Sequence, residues 1–370
     1  MAKTSDKPNT DVVGTSIEQL DTPALLLDRR ACDRNLAKMA GFFRDRPCKL
    51  RPHFKNHKCV TLARRQLEAG SAVGMTCAKV GEAEVLVEHG IDDVLIANQV
   101  LGDGKLRRLA ELNRRATVRV AVDHVTQAQA LSQAATAAGV TIGALVEVDA
   151  GMGRCGVRPG QPAVELAKAV AGLPGVELGG LQAYEGHAVY VNDFDERSTL
   201  TRQFAKTTVD TRRLIEATGL KVRAVSGGAS GTYNITGVFD GFDELQCGTY
   251  ATMDWRYAQV VPEFEIALSV LVTVISRPAP DTAVIDLGAK GAGGEFGPPC
   301  IKDFPRVEVP FFGAEEHTVI KNAPDWQVGQ TVELISSHAC TTCNLYRQMH
   351  VHEAGRVVEV WPIEASGKLA

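Results

Sequence analysis

No charge of one sign dominates this 370-residue sequence: 40 Lys and Arg stand against 44 Asp and Glu, a net charge of −4. That balance gives no reason to expect nucleic acid or an anionic membrane as a partner. Long hydrophobic runs are missing too, none approaching the roughly 18 residues that would span a bilayer. Residues 1–15 are polar and lack a hydrophobic signal core, which predicts a flexible lead-in over 1–21, able to join a later domain, and a cytoplasmic protein. Internal repeats and low-complexity segments are lacking as well. Cysteine shows no paired pattern. Nine are scattered between Cys32 and Cys343, an odd number that argues for free thiols, with one pair left to serve a metal.

What is present is the composition of a soluble globular protein, 45% hydrophobic and 23% charged. The length suits one barrel of roughly 250 residues plus a smaller domain. Short apolar runs at 24–28, 73–77, 94–98, 118–122, 144–148, 178–183 and 224–226 read as buried strands. Helical patterns at 32–43, 59–70, 80–89, 163–173 and 197–218 lie between them. Strand-helix units at spacings of roughly 20 to 35 residues imply parallel strands with right-handed crossovers. About eight strands before residue 250 favour a closed (β/α)8 TIM barrel, assigned to 22–257. Beyond it, 258–370 reads as a mostly β domain, with strands at 266–276, 282–287, 307–309, 331–335, 349–352 and 357–361 and no convincing helix.

The strand ends carry the chemistry. Residues 51–58, Arg-Pro-His-Phe-Lys-Asn-His-Lys, hold two lysines, two histidines and an arginine where a strand should end. Taken alone, the run also reads as a solvated basic turn. Lysine amines form Schiff bases when desolvation or a neighbouring cation lowers their pKa, and the carboxyl ends of barrel strands are where such groups collect. The glycine-rich loop 149–156 holds Arg154, and 182–187 follows another strand. The loop 226–232, Ser-Gly-Gly-Ala-Ser-Gly-Thr, suits a phosphate through its backbone N–H groups, with the hydroxyls of Ser230 and Thr232 at hand. A reactive lysine early, an arginine midway and a phosphate loop late are the parts pyridoxal phosphate needs.

Arg-Pro-His-x-Lys-x-His-Lys at 51–58, Gly-Arg-Cys-Gly-Val at 153–157, Gln-Ala-Tyr at 182–184, Gly-Gly-x-Ser-Gly at 227–231 and Gly-Thr-Tyr at 248–250 resemble the D-threonine aldolase/D-serine dehydratase family. The resemblance runs over nearly the whole chain. It implies fold-type III, an alanine-racemase-like barrel with a C-terminal β domain. It implies Lys55, rather than Lys58, as the lysine bound to pyridoxal 5'-phosphate, Arg154 at the cofactor's phenolic oxygen and Tyr184 by its ring nitrogen. Gly228, Ser230, Gly231 and Tyr250 would hold the phosphate.

A second signature is Ser336-Ser337-His338-Ala339-Cys340. Imidazole and thiolate are ordinary ligands of zinc and similar ions, and on a strand residues two apart share a side. From spacing alone, a polar turn with a buried cysteine fits as well. The resemblance implies a divalent metal (Mn, Mg, Co or Zn) on His338 and Cys340, presented to a substrate's β-hydroxyl by a β domain reaching over the barrel mouth. It also implies a homodimer and a small amino-acid substrate, and leans to an aldolase. Cys340, where those aldolases carry Asp, matches the dehydratases instead. The aldolases place a histidine base six residues after the tyrosine, where this chain has Tyr190; His187 is the nearest replacement. D-Serine or 3-hydroxyaspartate dehydration stays open, and racemization behind it.

Overall fold

The structure, a computed structural model, describes residues 9–310 and 312–370. Residues 1–8 of the expected lead-in lie outside the described residues. The chain divides into two compact units. A barrel unit comprises 38–55, 63–248 and 368–370, and a β unit comprises the described residues up to Ala37, 56–62 and 249–367.

The chain enters through β1 (Ala24–Asp28) and α1 (Arg29–Phe43). Eight strands then form the barrel: β2 (Lys49–Leu50), β3 (Met75–Cys77), β4 (Asp93–Gln99), β5 (Thr117–Val122), β6 (Ile142–Glu147), β7 (Val176–Gln182), β8 (Ala224–Gly227) and β9 (Glu244–Leu245). Their order is β2-β9-β8-β7-β6-β5-β4-β3, every pair parallel. Parallel bridges Leu50–Ala72 and His53–Thr76 join the two ends and close the ring. Between the strands run α2 (Val60–Glu68), α3 (Val80–Glu88), α4 (Asp103–Leu112), α5 (Val125–Ala138), α6 (Gln161–Ala171), α7 (Phe194–Glu216) and the short α8 (Tyr233–Thr236). Parallel strands covered on both faces need near-continuous apolar runs, and all six residues of β6 are buried. The helix ends are chemically marked: the Asp193 carboxylate accepts the Glu196 N–H at the start of α7, and Gly139, at φ 67°, ends α5. None of the described helices is long and apolar enough to cross a membrane.

One expected barrel strand is elsewhere. β1 pairs in the β unit, antiparallel to β10 (Leu268–Ala279) and parallel to β15 (Gln348–Glu353). A five-residue apolar run fits the interior of any sheet, so its pattern carries no information on which sheet. The eighth barrel position goes to β9, whose two residues are too few to show a period. The β unit continues with α9 (Trp255–Ala258), β11 (Thr282–Ile285), β12 (Cys300–Ile301), β13 (Thr318–Lys321), β14 (Thr331–Ile335), α10 (Ala339–Leu345), β15 (Gln348–Glu353) and β16 (Arg356–Pro362). The main sheet runs β12-β14-β10-β1-β15-β16, with β11 and β13 extending from β10. The strand expected at 307–309 is reduced to one bridge, Glu308–Lys321, and α10 stands where no helix was expected. The described part of the lead-in is tied down: Ile17 N–H donates to Gly355 O, and Ile17 and Leu20 join a core with Leu26, Leu271 and Val357.

The amino ends of the barrel strands enclose a cavity of about 540 Å³ lined by Arg51, Asp93, Arg119, Glu177, Arg223 and Glu244. Arg51, only 2% exposed, is its centre: NH1 hydrogen-bonds Asp93 at 2.7 Å, and Nε lies 2.7 Å from Glu244 Oε1. The second contact is short but not aligned as a hydrogen bond, so it holds as an ion pair. Removing one partner of a buried pair strands the other's charge, at about 3–5 kcal/mol. Arg51→Met should therefore lower stability to urea by about that much, whereas Arg34→Met, which frees an exposed Glu265, should cost at most about 1 kcal/mol. Equal losses would show that the barrel does not depend on Arg51.

Candidate active site

Lys55 sits in a 3-10 turn, Phe54–Asn56, just past β2. The approach is held on both sides, by Thr76 N–H donating to Pro52 O at 2.8 Å and His53 N–H to Cys247 O at 3.0 Å. Tyr184 lies two residues beyond β7. Lys55 Nζ is 5.9 Å from the centre of the Tyr184 ring, and the Arg154 guanidinium carbon is 5.4 Å from it. Three of the residues expected at the cofactor thus meet around one ring.

The Arg154 loop is built to be stiff. The Asp149 carboxylate accepts the N–H groups of Gly151 and Gly153, and Asp123 accepts that of Gly156. Gly156 has φ 118°, and a Cβ there would come within 2.4 Å of the Asp149 nitrogen, so only glycine closes the loop. Beneath it Glu147 is buried, accepts a 2.5 Å hydrogen bond from Gln99, and has its pKa raised by burial, with Arg154 opposing. His187 is exposed and lies against the same loop: a Cβ on Gly151 would be 3.3 Å from its ring. Tyr190, at the position where the resemblance expects a histidine, is half-buried.

The loop 226–232 differs from expectation in one respect. Thr232 is fully buried, and its hydroxyl donates to Glu185 at 2.6 Å, so it is not available to an anion. The Gly228 backbone also lies close to Glu185 and favours its ionised form. Gly228 is required for its conformation instead: φ is 76°, and a Cβ would fall 2.5 Å from Leu245. Gly231 is buried, and its N–H meets no protein acceptor among the described residues. A buried N–H left this way calls for a partner from outside the chain. Ser230 is 1% exposed. Tyr250 belongs to a 3-10 turn of the β unit, buried with its ring edge toward Phe264.

In the β unit, His338 and Cys340 come together, but not on a strand. His338 is the extended residue before α10 (φ −143°, ψ 111°), and Cys340 lies in the helix's first turn. Cys340 lies close enough to His338 to favour the charged imidazole. Glu295 accepts from His338 Nδ1 at 2.5 Å and from Thr341 Oγ1 at 2.8 Å, and Asn56 Nδ2 approaches Cys340 Sγ at 3.7 Å. Burial lowers the His338 pKa, but Cys340 and Glu295 outweigh it and push it up to about 10. Burial would raise Glu295, yet the histidine contact holds it down at about 2. Asp254, which accepts the Ala339 N–H, is raised to about 6 by its own burial. Among the described residues no group of three or more His, Cys, Asp or Glu is gathered to hold a metal, so the candidate is a two-donor site. Glu185 and Glu295 escaped notice in the sequence. The only signals were a carboxylate next to Tyr184 and one ending the glycine-rich run 291–295.

A closed parallel barrel with a lysine, an arginine and an aromatic ring converging at strand carboxyl ends, followed by a β domain, defines a fold-type III pyridoxal-phosphate enzyme. Residues 27–254 match the family model "Alanine racemase, N-terminal domain", and 267–352 match "Putative serine dehydratase domain". The chain is 37% identical to a D-threonine aldolase of Arthrobacter sp, over 96% of this chain and 95% of that one. It is 35% identical to a 3-hydroxy-D-aspartate aldolase of Paracoccus denitrificans (strain Pd 1222), over 96% and 94%. The crystal structure of a D-threonine aldolase from Filomicrobium marinum superposes with a TM-score of 0.93 at 39% identity, covering 97% of this chain and 99% of that one. The chain belongs to the D-threonine aldolase/D-serine dehydratase-like family of pyridoxal-phosphate lyases.

Burial sorts the nine thiols. Seven are buried, and only Cys155 and Cys340 are half-exposed. A thiol reagent should therefore modify two cysteines quickly in the native protein and all nine in denaturant. Cys340→Ser should remove one of the fast pair; an unchanged count would mean that Cys340 is shielded and unfit to meet a ligand.

Proposed function

We propose that this protein is a pyridoxal-phosphate- and divalent-metal-dependent lyase acting on β-hydroxy-D-amino acids, cleaving them by a retro-aldol reaction to glycine and an aldehyde. The observation that carries this is the grouping of Lys55 and Arg154 about the Tyr184 ring, read together with aldolase relatives matched over nearly their whole length. The residues suit the cofactor: an amine for its carbonyl, a cation for its phenolic oxygen and a buried, unpartnered N–H at Gly231 for its phosphate.

Bound pyridoxal phosphate would supply an electron sink for negative charge at the substrate's Cα. Lys55 would hold the cofactor through Nζ and, as a free amine, could carry a proton. Arg154, always charged, would pair with the cofactor's phenolic oxygen, while Tyr184 would lie by its ring. Ser230 and Gly231 would hold the phosphate, with Gly228 shaping the loop and Tyr250 contributing its hydroxyl. His187, exposed beside the Arg154 loop, is the base assigned to the β-hydroxyl proton. A Mn, Mg, Co or Zn ion on His338 and Cys340 would lower that hydroxyl's pKa. The substrate is a small amino acid with a hydroxyl at Cβ. The family resemblance supports a homodimer as the working form, and the polar start of the chain supports a cytoplasmic location.

Cys340 beside His338, with the match to a serine dehydratase domain, favours a second reading, in which D-serine or 3-hydroxyaspartate loses water to give a 2-oxo acid and ammonia. Racemization ranks third, because it needs no metal.

NMR of products from D-threonine, D-serine and D-3-hydroxyaspartate, with pyridoxal phosphate and Mn²⁺ or Zn²⁺, separates these. Glycine plus aldehyde is expected; a 2-oxo acid plus ammonia would replace the aldolase by the dehydratase. Chelation should abolish turnover, and saturating metal should protect one of the two fast thiols in the native protein. Full activity in chelator, with both thiols still reactive in metal, would remove His338 and Cys340 from the mechanism.

A further inference from the structure

Beneath the loop 226–232 lies a carboxyl group that the chemistry above does not use. Glu185 follows Tyr184 directly and is fully buried. Its Oε1 accepts hydrogen bonds from Thr232 Oγ1 at 2.6 Å and Thr236 Oγ1 at 2.9 Å. Donors from the end of the loop and from α8 thus converge on one side chain. The other oxygen, Oε2, meets no donor among the described residues. Burial raises the pKa of this carboxyl, and the hydrogen bonds it accepts oppose that shift.

A glycine-rich loop is costly to hold in one conformation, because glycine loses the most backbone freedom on ordering. Glu185 meets that cost from within the protein. It commits the two threonine hydroxyls to the interior, at the end of the loop and in α8. Its adjacency to Tyr184 has a further consequence. The residue covering the cofactor's ring and the one fixing the phosphate loop are consecutive, so one short segment sets both ends of the cofactor.

We propose that Glu185 is a positioning residue for the cofactor phosphate, pinning the 226–232 loop from below through Thr232 and Thr236 so that Ser230 and Gly231 meet the anion. This rests on the pyridoxal-phosphate assignment made above.

The test is the affinity of the full-length protein, freed of cofactor, for pyridoxal phosphate and for pyridoxal, which lacks the phosphate. Binding is read from the visible absorbance of the lysine-bound form. Glu185→Leu should weaken pyridoxal phosphate on the order of tenfold or more and change pyridoxal by less than about twofold. Glu185→Gln keeps a carbonyl acceptor and should stay within about threefold of the parent for both. Should the leucine variant not fold, Thr232→Val/Thr236→Val removes two of the donors and carries the same expectation. Equal weakening of both ligands, no weakening of either, or a glutamine variant as impaired as the leucine one would overturn the proposal. Parent protein that takes up neither ligand would instead bring down the cofactor assignment, and this inference with it.

Discussion

Two cations share one aromatic ring in this barrel, and much of the surrounding structure serves to keep them there. Lys55 and Arg154 lie 5.9 and 5.4 Å from the centre of Tyr184. A ring face attracts each of them by about 0.5–1 kcal/mol at exposed sites and more when desolvated, which does not cancel their mutual repulsion. The pair therefore needs rigid mountings. Lys55 has a turn bonded to neighbouring strands on both sides, and Arg154 has a loop folded around the Asp149 carboxylate and closed by Gly156. Cations held around one ring in this way suit a ligand rich in negative charge.

Buried carboxyl groups do the holding elsewhere. Glu147 lies below Arg154 with Gln99 on one side, Glu185 lies below the 226–232 loop, and Asp254 ties the start of α10 to α9. Burial raises the pKa of all three. Each offsets its desolvation by accepting from amides, hydroxyls or backbone N–H groups. Such networks cost stability when half-satisfied and confer rigidity when complete, which is what a site that must hold geometry requires.

The barrel was legible because parallel strands buried on both faces leave unbroken apolar runs such as 144–148 and 118–122. Membership was less so: β1 is as apolar as any barrel strand, and only long-range pairing with β10 and β15 decides its sheet. The two-residue strands β2 and β9 close the barrel without any periodic signal. At the site, residue types at strand ends and the family motifs pointed to Lys55, Arg154 and Tyr184, which do meet. Thr232 was misread because a hydroxyl in a loop faces either way, and its direction depends on Glu185, 47 residues distant. His338 and Cys340 were paired on the wrong premise. His338 keeps extended backbone angles, and the chain turns helical only after it, which still brings the two side chains into contact.

That geometry bears on what an ion there could do. A structural zinc site closes its shell with four protein donors, whereas catalytic sites keep positions open. His338 and Cys340 offer two, and Glu295 is occupied with Nδ1 of His338, the role that outer carboxylates play in fixing a ligand imidazole's tautomer and orientation. An ion on these two residues would keep most of its shell for water and substrate oxygen. Such an ion acidifies a hydroxyl that is to be deprotonated and equally polarises one that is to depart, so the metal pair does not choose between cleavage and dehydration. The choice falls to the proton carriers. A base at the β-hydroxyl, the role proposed for His187, would favour Cα–Cβ cleavage; a free amine at Lys55 taking the α-proton would favour loss of the hydroxyl.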